Sequence, residues 1–136
     1  MIVVDTNVLA YLLLDLDRTQ QAEKALARDP EWVAPRLWRS EMRSVLAVQV
    51  KRGALDVSQA RRLQSEAERL MDRGEYAVAS ADVLDLAAGS GCSSYDCEFV
   101  ALARELEVPL VTVDRELLEA FPDRAVPLDT FAEAAP

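Results

Sequence analysis

The sequence predicts an α/β fold in which helices cover both faces of a short, mostly parallel central sheet. Short apolar segments rich in valine recur along the chain, and helix-length segments with turn residues at their ends separate them. Strands that are buried on both faces lack polar alternation, and a regular succession of strands and helices is typical of parallel sheets. Because no repeat, low-complexity tract or linker interrupts this pattern, we predict a single domain over residues 1–136.

The first half of the chain is predicted to contain two strands and four helices. The second helix ends at the turn signal Asp29–Pro30, Gly53 ends the third, and Gly74 follows the fourth. The predicted elements are a strand at 2–4, helices at 6–14 and 19–28, a strand at 31–34, and helices at 38–52 and 58–71. The last two form an α-helical hairpin at about residues 38–72.

The second half continues the alternation with shorter elements. Valine-containing segments at 76–79, 110–113 and 125–127 are predicted strands, the last of them an edge strand. Helices are predicted at 82–88, where Gly89 ends the segment, at 97–106 and at 116–120. Strands and helices are therefore predicted to alternate along residues 1–136. In a sheet of this kind, ligands are expected to bind beyond the carboxyl ends of the strands.

The residue types that are missing limit the chemistry. The chain has no histidine, which excludes a Ser–His or Cys–His nucleophile within it, and Cys92 and Cys97 are too few for a zinc cage or a disulfide framework. Carboxylates remain, and they suit magnesium, manganese and calcium. No apolar run reaches the ~20 residues of a membrane span, and the start lacks a signal-peptide pattern. We therefore expect a cytoplasmic protein with no membrane partner.

Two aspartates follow predicted strands directly. Asp5 ends the segment MIVVD, and Asp114 ends PLVTVD. Considered singly, each aspartate has a structural alternative to a functional role: Asp5 could be a helix N-cap, and Asp114 could be a turn residue. Because parallel strands end at one edge of a sheet, the two carboxylates are expected at the same edge.

Two further acids lie on apolar faces of predicted helices. Glu41 shares a face with Trp38 and Val45, and Asp96 shares one with Phe99 and Val100. Structural alternatives are an ion pair of Glu41 with Arg36 or Arg39, and a first-turn position for Asp96 with Ser93 or Ser94 as the cap. An unpaired inward carboxylate is costly, so the joint geometry of the four acids favours convergence on one cleft.

Four clustered carboxylates require a counter-charge, because each raises the pKa values of the others. One divalent cation, or a pair about 3.5–4 Å apart, would supply it and would also activate a water without histidine. The same cation would neutralise charge on a phosphodiester. Metal-assisted phosphodiester hydrolysis is therefore the reaction that these residues predict.

Four motifs in order carry a resemblance to a known family. DTNVLAYLL, SEMRSVLA, SSYDCEFVALARELEV and PLVTVDREL together resemble a PIN-domain nuclease, most like the VapC-type toxins of toxin–antitoxin pairs. The resemblance implies a PIN-like three-layer α/β/α sandwich and an endoribonuclease that uses Mg²⁺ or Mn²⁺. It also implies a homodimer, an RNA substrate and a cognate antitoxin. The residues it implies are catalytic, metal-binding Asp5, Glu41, Asp96 and Asp114 with supporting Asn7 and Thr112.

Other features leave alternatives open. Glu116 is either a supplementary acid of the site or a solvated helix residue. For the whole chain, the alternative to an enzyme is a non-catalytic PIN-like scaffold that binds RNA or protein. The net charge is −9, but residues 36–73 hold nine of the fifteen Lys and Arg and five of the 24 acids, which gives +4 there and −13 elsewhere. We therefore predict that Arg39 and Arg43, which flank Glu41, contact RNA phosphate, with an acidic antitoxin segment as the competing ligand.

Overall fold

A five-stranded parallel sheet is the centre of the computed structural model, which describes residues 1–134. Its strand order is β3-β2-β1-β4-β5, and each neighbouring pair is parallel. The strands are β1 Ile2–Val4, β2 Trp32–Pro35, β3 Glu75–Tyr76, β4 Leu110–Thr112 and β5 Ala125–Pro127. In the centre of the sheet Val3 stands opposite Val33 on one side and Leu110 on the other.

Eight helices accompany the sheet within residues 1–134: α1 Thr6–Leu13, α2 Thr19–Arg28, α3 Trp38–Lys51, α4 Val57–Leu70, α5 Ser80–Ala88, α6 Ser94–Leu106, α7 Arg115–Ala120 and α8 Leu128–Glu133. Helix α6 packs on β1, β2 and β4 and against α5, whereas α1, α2 and α8 pack together. Helices α3 and α4 form the predicted hairpin. The α/β/α architecture is confirmed, with a sheet that is entirely parallel among the described strands.

The apolar strands are buried on both faces, as their composition predicts. Every residue of β1, β2 and β4 is buried, and Phe99 on α6 and Leu9 on α1 are fully enclosed beside them. Burying a large apolar side chain contributes about 1.5–3 kcal/mol, so this core fixes the positions of the central strand ends. No helix among residues 1–134 is both long enough and apolar enough to cross a membrane.

The largest differences from the predictions concern strand β3, helix α6 and one additional helix, and the other bounds shift by at most two residues. Strand β3 covers Glu75–Tyr76 and not residues 76–79, because it pairs with β2 where Gly74 passes close to the backbone. A Cβ atom on Gly74 would lie 2.3 Å from the Trp32 carbonyl oxygen, so only glycine fits there. Helix α6 begins at Ser94 and not at residue 97, because the Ser93 hydroxyl caps it. Helix α8 was not predicted at all.

Candidate active site

Four acidic side chains line one cleft at the carboxyl ends of the central strands. Asp5 directly follows β1, and Asp114 stands two residues after β4, so neighbouring strands deliver both to the same edge. Glu41 and Asp96 are in the first turns of α3 and α6. The cleft has a volume of about 230 Å³ and also includes Thr6, Asn7, Ser44 and Val45. The predicted convergence of the four acids is therefore present in the structure.

A buried threonine links the two aspartates that follow the strands. The Thr112 hydroxyl donates to Asp5 Oδ2 at 2.8 Å and accepts from the Asp114 backbone N–H at 3.0 Å. Asp114 Oδ1 in turn accepts from the backbone N–H groups of Glu116 and Leu117, which makes Asp114 the N-cap of α7. Asp5 occupies the N-cap position of α1, but its side chain makes no cap bond to that helix, so capping does not account for its carboxylate.

Glu41 has a partner that the sequence reading missed. The buried Thr6 hydroxyl donates to Glu41 Oε1 at 2.7 Å. No Lys or Arg among residues 1–134 forms an ion pair with Glu41, so the alternative of pairing with Arg36 or Arg39 is not realised. The only available signal for Thr6 was its position beside Asp5 at the predicted rim, which does not indicate the direction of its hydroxyl.

The cleft is electrostatically unfavourable for its own carboxylates. Burial raises the pKa of Asp5 to about 6; the hydrogen bond from Thr112 opposes the rise, and the charges of Asp96 and Asp114 add to it. Burial likewise raises the pKa of Glu41 against the hydrogen bond from Thr6, with Asp5 and Asp96 adding to the rise. The pKa of Asp96 is raised by burial and then by the charge of Asp114. The site therefore lacks positive charge.

A hard divalent cation fits this donor set in chemistry and charge. Carboxylate oxygens are preferred ligands of Mg²⁺ and Mn²⁺, and a cation would offset the repulsion that raises these pKa values. Within residues 1–134 no three acidic side chains are yet spaced closely enough to share one ion. Mg²⁺ usually keeps several waters and takes only one or two carboxylates from the protein, so its binding does not depend on a cage of three acids.

The remaining predicted site residues have different surroundings. Asn7 lines the cleft with an exposed side chain. Glu116 is exposed and acts on the cleft through its charge, which contributes to the raised pKa of Asp96. Neither arginine predicted to contact RNA lines the cleft: Arg39 is bound by Glu75 at 2.7 Å and Glu68 at 2.9 Å, and Arg43 lines a separate apolar groove between α3 and α4. The ion pairs give Arg39 a structural role, and an RNA contact by either arginine stays a prediction.

Known proteins share this sequence pattern and fold. The PIN domain family matches residues 2–122. The chain is 31% identical over 129 residues to "Ribonuclease VapC3" of Pyrobaculum aerophilum. This alignment covers 93% of this chain and 98% of that protein. Among solved structures, PAE2754 from Pyrobaculum aerophilum superposes with a TM-score of 0.76 at 21% identity, covering 96% of this chain and 85% of that one. FitAcB from Neisseria gonorrhoeae superposes with a TM-score of 0.74 at 16% identity, covering 94% and 98%.

Proposed function

This chain belongs to the PIN domain family, and from that premise we propose that it is a metal-dependent endoribonuclease that acts as the toxin of a toxin–antitoxin pair. The ribonuclease relative aligns over nearly its whole length, which supports hydrolysis of RNA phosphodiester bonds. The observation that carries the proposal is the convergence of Asp5, Glu41, Asp96 and Asp114 on one cleft. Burial disfavours the ionised forms of Asp5, Glu41 and Asp96, and metal-dependent hydrolysis is the chemistry that uses such a group of acids.

In this proposal the four acids hold Mg²⁺ or Mn²⁺ as the cofactor. When bound, the cation supplies an activated water and neutralises charge on the phosphate. Thr112 holds Asp5 and Asp114 in fixed positions relative to each other, and Thr6 holds one carboxylate oxygen of Glu41. Asn7, at the mouth of the cleft, is proposed to orient the bound groups by hydrogen bonding. The absence of histidine from the sequence is consistent with an acid-only site.

The wider assignments rest on the same family membership. We propose that a cognate antitoxin protein inhibits the enzyme, that two copies form a homodimer, and that the protein works in the cytoplasm. One hydrophobic core among residues 1–134 supports the proposal of a single domain for residues 1–136. The alternative of a non-catalytic scaffold is disfavoured because the chain keeps all four acids and they line one cleft.

RNA cleavage by the purified protein tests the proposed activity. We expect cleavage with Mg²⁺ or Mn²⁺, none in chelator, and a loss of about a hundredfold or more in Asp5→Asn, because the buried ligand charge is removed. Asp15→Asn is the matched control, because Asp15 is exposed and outside the cleft. Cleavage that persists in chelator, or that Asp5→Asn leaves unchanged, would contradict the assignment. Light scattering during size-exclusion chromatography measures whether two copies associate.

A further inference from the structure

A second cavity adjoins the acidic cleft on the same edge of the sheet. It has a volume of about 390 Å³, and its lining includes Arg36, Tyr76, Ser80, Ser94 and Glu98. Arg36 directly follows β2, and Tyr76 is the last residue of β3. Because the sheet order is β3-β2-β1-β4, this cavity lies at the ends of β3 and β2, next to the ends of β1 and β4, which Asp5 and Asp114 follow. We refer to it as the β2–β3 cavity.

Helix α6 forms a wall that the two sites share. Ser94 and Glu98 face the β2–β3 cavity, and Asp96, between them in sequence, lines the acidic cleft. The two sites are also close enough to interact, because the charge of Glu98 contributes to the raised pKa of Glu41. A chain molecule lying along this edge of the sheet would therefore pass from one site to the other.

The side chains of the β2–β3 cavity suit a nucleotide. Arg36 is exposed, and no carboxylate among residues 1–134 lies within ion-pair distance of its guanidinium, in contrast to Arg39. Arginine binds phosphate through paired N–H groups. Tyr76 is half-buried and belongs to the lining, and tyrosine rings stack with unpaired bases. Glu98 adds a hydrogen-bond acceptor for an exocyclic amine of a base.

We propose that the β2–β3 cavity binds one nucleotide of a single-stranded RNA segment next to the scissile bond. Arg36 contacts its phosphate, and Tyr76 stacks on its base. A base inside a cavity has left its helical stack, so the cavity selects single-stranded RNA over duplex. An acidic peptide also pairs with Arg36, but it leaves the Tyr76 ring without a planar partner. This inference rests on the proposed ribonuclease function and names the substrate segment that the enzyme holds.

Binding measurements in the Asp5→Asn background test the cavity without cleavage. Fluorescence anisotropy with a labelled eight-nucleotide single-stranded RNA gives the Kd over a salt series. Arg36→Ala is expected to raise the Kd about three- to tenfold and to reduce the slope of log Kd against log salt by about one. Arg62→Ala is the matched control, since Arg62 is an exposed arginine that lines neither site. Equal effects of the two substitutions would overturn the phosphate contact.

The stacking contact is tested by a pair of tyrosine substitutions and by the RNA itself. Tyr76→Leu is expected to weaken binding about fivefold or more, whereas Tyr76→Phe keeps the ring and stays within about twofold of the parent. Replacing one base at a time by an abasic nucleotide should identify one position whose loss weakens binding to the parent but not to Tyr76→Leu. If every abasic position binds equally to the parent protein, the proposal is wrong even if Tyr76→Leu fails to fold.

The two proposals fail in different ways. If the wild-type protein cleaves no RNA with either metal, the ribonuclease function is overturned, and the anisotropy series still reports whether Arg36 and Tyr76 hold RNA. If the wild type cleaves RNA but binding is insensitive to both residues, the β2–β3 cavity is not the nucleotide site and the enzyme assignment is unaffected.

Discussion

Replacing Asp5 by asparagine is expected to stabilise the metal-free protein. Asp5 is 8% exposed, and its pKa rises from 3.8 to about 6 on folding, first through burial and then through the charges of Asp96 and Asp114. One pKa unit corresponds to about 1.4 kcal/mol, so the ionised carboxylate costs about 3 kcal/mol at neutral pH. Asparagine has nearly the same shape, and its Oδ1 still accepts from the Thr112 hydroxyl. After a weaker hydrogen bond is allowed for, a gain of about 2 kcal/mol remains.

The pH dependence of this gain has a definite sign. An acid whose pKa is raised by folding binds its proton more tightly in the native state, so the free energy of unfolding falls as pH rises from about 4 to about 6. Above pH 6 the penalty is fully present, and below pH 4 both states are protonated and it is absent. The advantage of Asp5→Asn should therefore grow between pH 4 and 6 and then level off.

Thermal unfolding in chelator measures this difference. At pH 7.5 the Tm of Asp5→Asn should exceed that of the wild type by about 5 °C or more, given the size of the protein. At pH 4 the two should unfold within about 2 °C of each other. Asp15→Asn, which removes an exposed carboxylate, should follow the wild type throughout. A lower Tm for Asp5→Asn at pH 7.5, or a gain independent of pH, would refute the argument that burial and repulsion destabilise the cleft.

Two further substitutions test neighbouring contacts. Thr112→Val removes the hydroxyl that holds Asp5, so we expect the rate of RNA cleavage to fall about tenfold or more. Thr112→Ser keeps a hydroxyl and should keep the activity. Equal activity of the two variants would exclude a positioning role for Thr112. Arg39→Met leaves the half-buried Glu75 without its cation. Urea unfolding should therefore show that the free energy of unfolding falls by about 2 kcal/mol, whereas Arg43→Met should change it little. Equal stability of the two Met variants would mean that the Arg39 ion pairs contribute nothing.

The central part of the fold can be predicted from the sequence because local sequence patterns determine it. The valine-rich runs of β1 and β4 have no polar alternation, and both strands are buried on both faces. The same reasoning missed α8, because that helix is only six residues long and Leu128 is its only buried residue. Its position depends on packing against α2, about a hundred residues earlier in the chain, and no local pattern encodes such a contact.

The candidate site likewise has some features that local sequence patterns predict and others that depend on distant contacts. The places of Asp5 and Asp114 follow from strand ends, which sequence reasoning locates well. The bond from Thr6 to Glu41 spans 35 residues and the bond from Thr112 to Asp5 spans 107, so both depend on the order of strands in the sheet. Membership of a family can suggest such pairs, but composition and periodicity cannot.

The two arginines near the start of α3 show how position in the fold decides what a charge does. Arg39, on the same helix as Glu41, is bound by Glu75 of β3 and by Glu68 of α4, and the Trp38 Nε1–H also donates to Glu75. These contacts fix α3 against the sheet and so fix the acid that it carries. Arg36 precedes the helix and has no ion-pair partner among residues 1–134. The positive stretch is therefore not a uniform RNA surface: Arg39 is paired and helps to hold the helix that carries Glu41, whereas Arg36 is unpaired and lies at the end of β2 beside the acidic cleft.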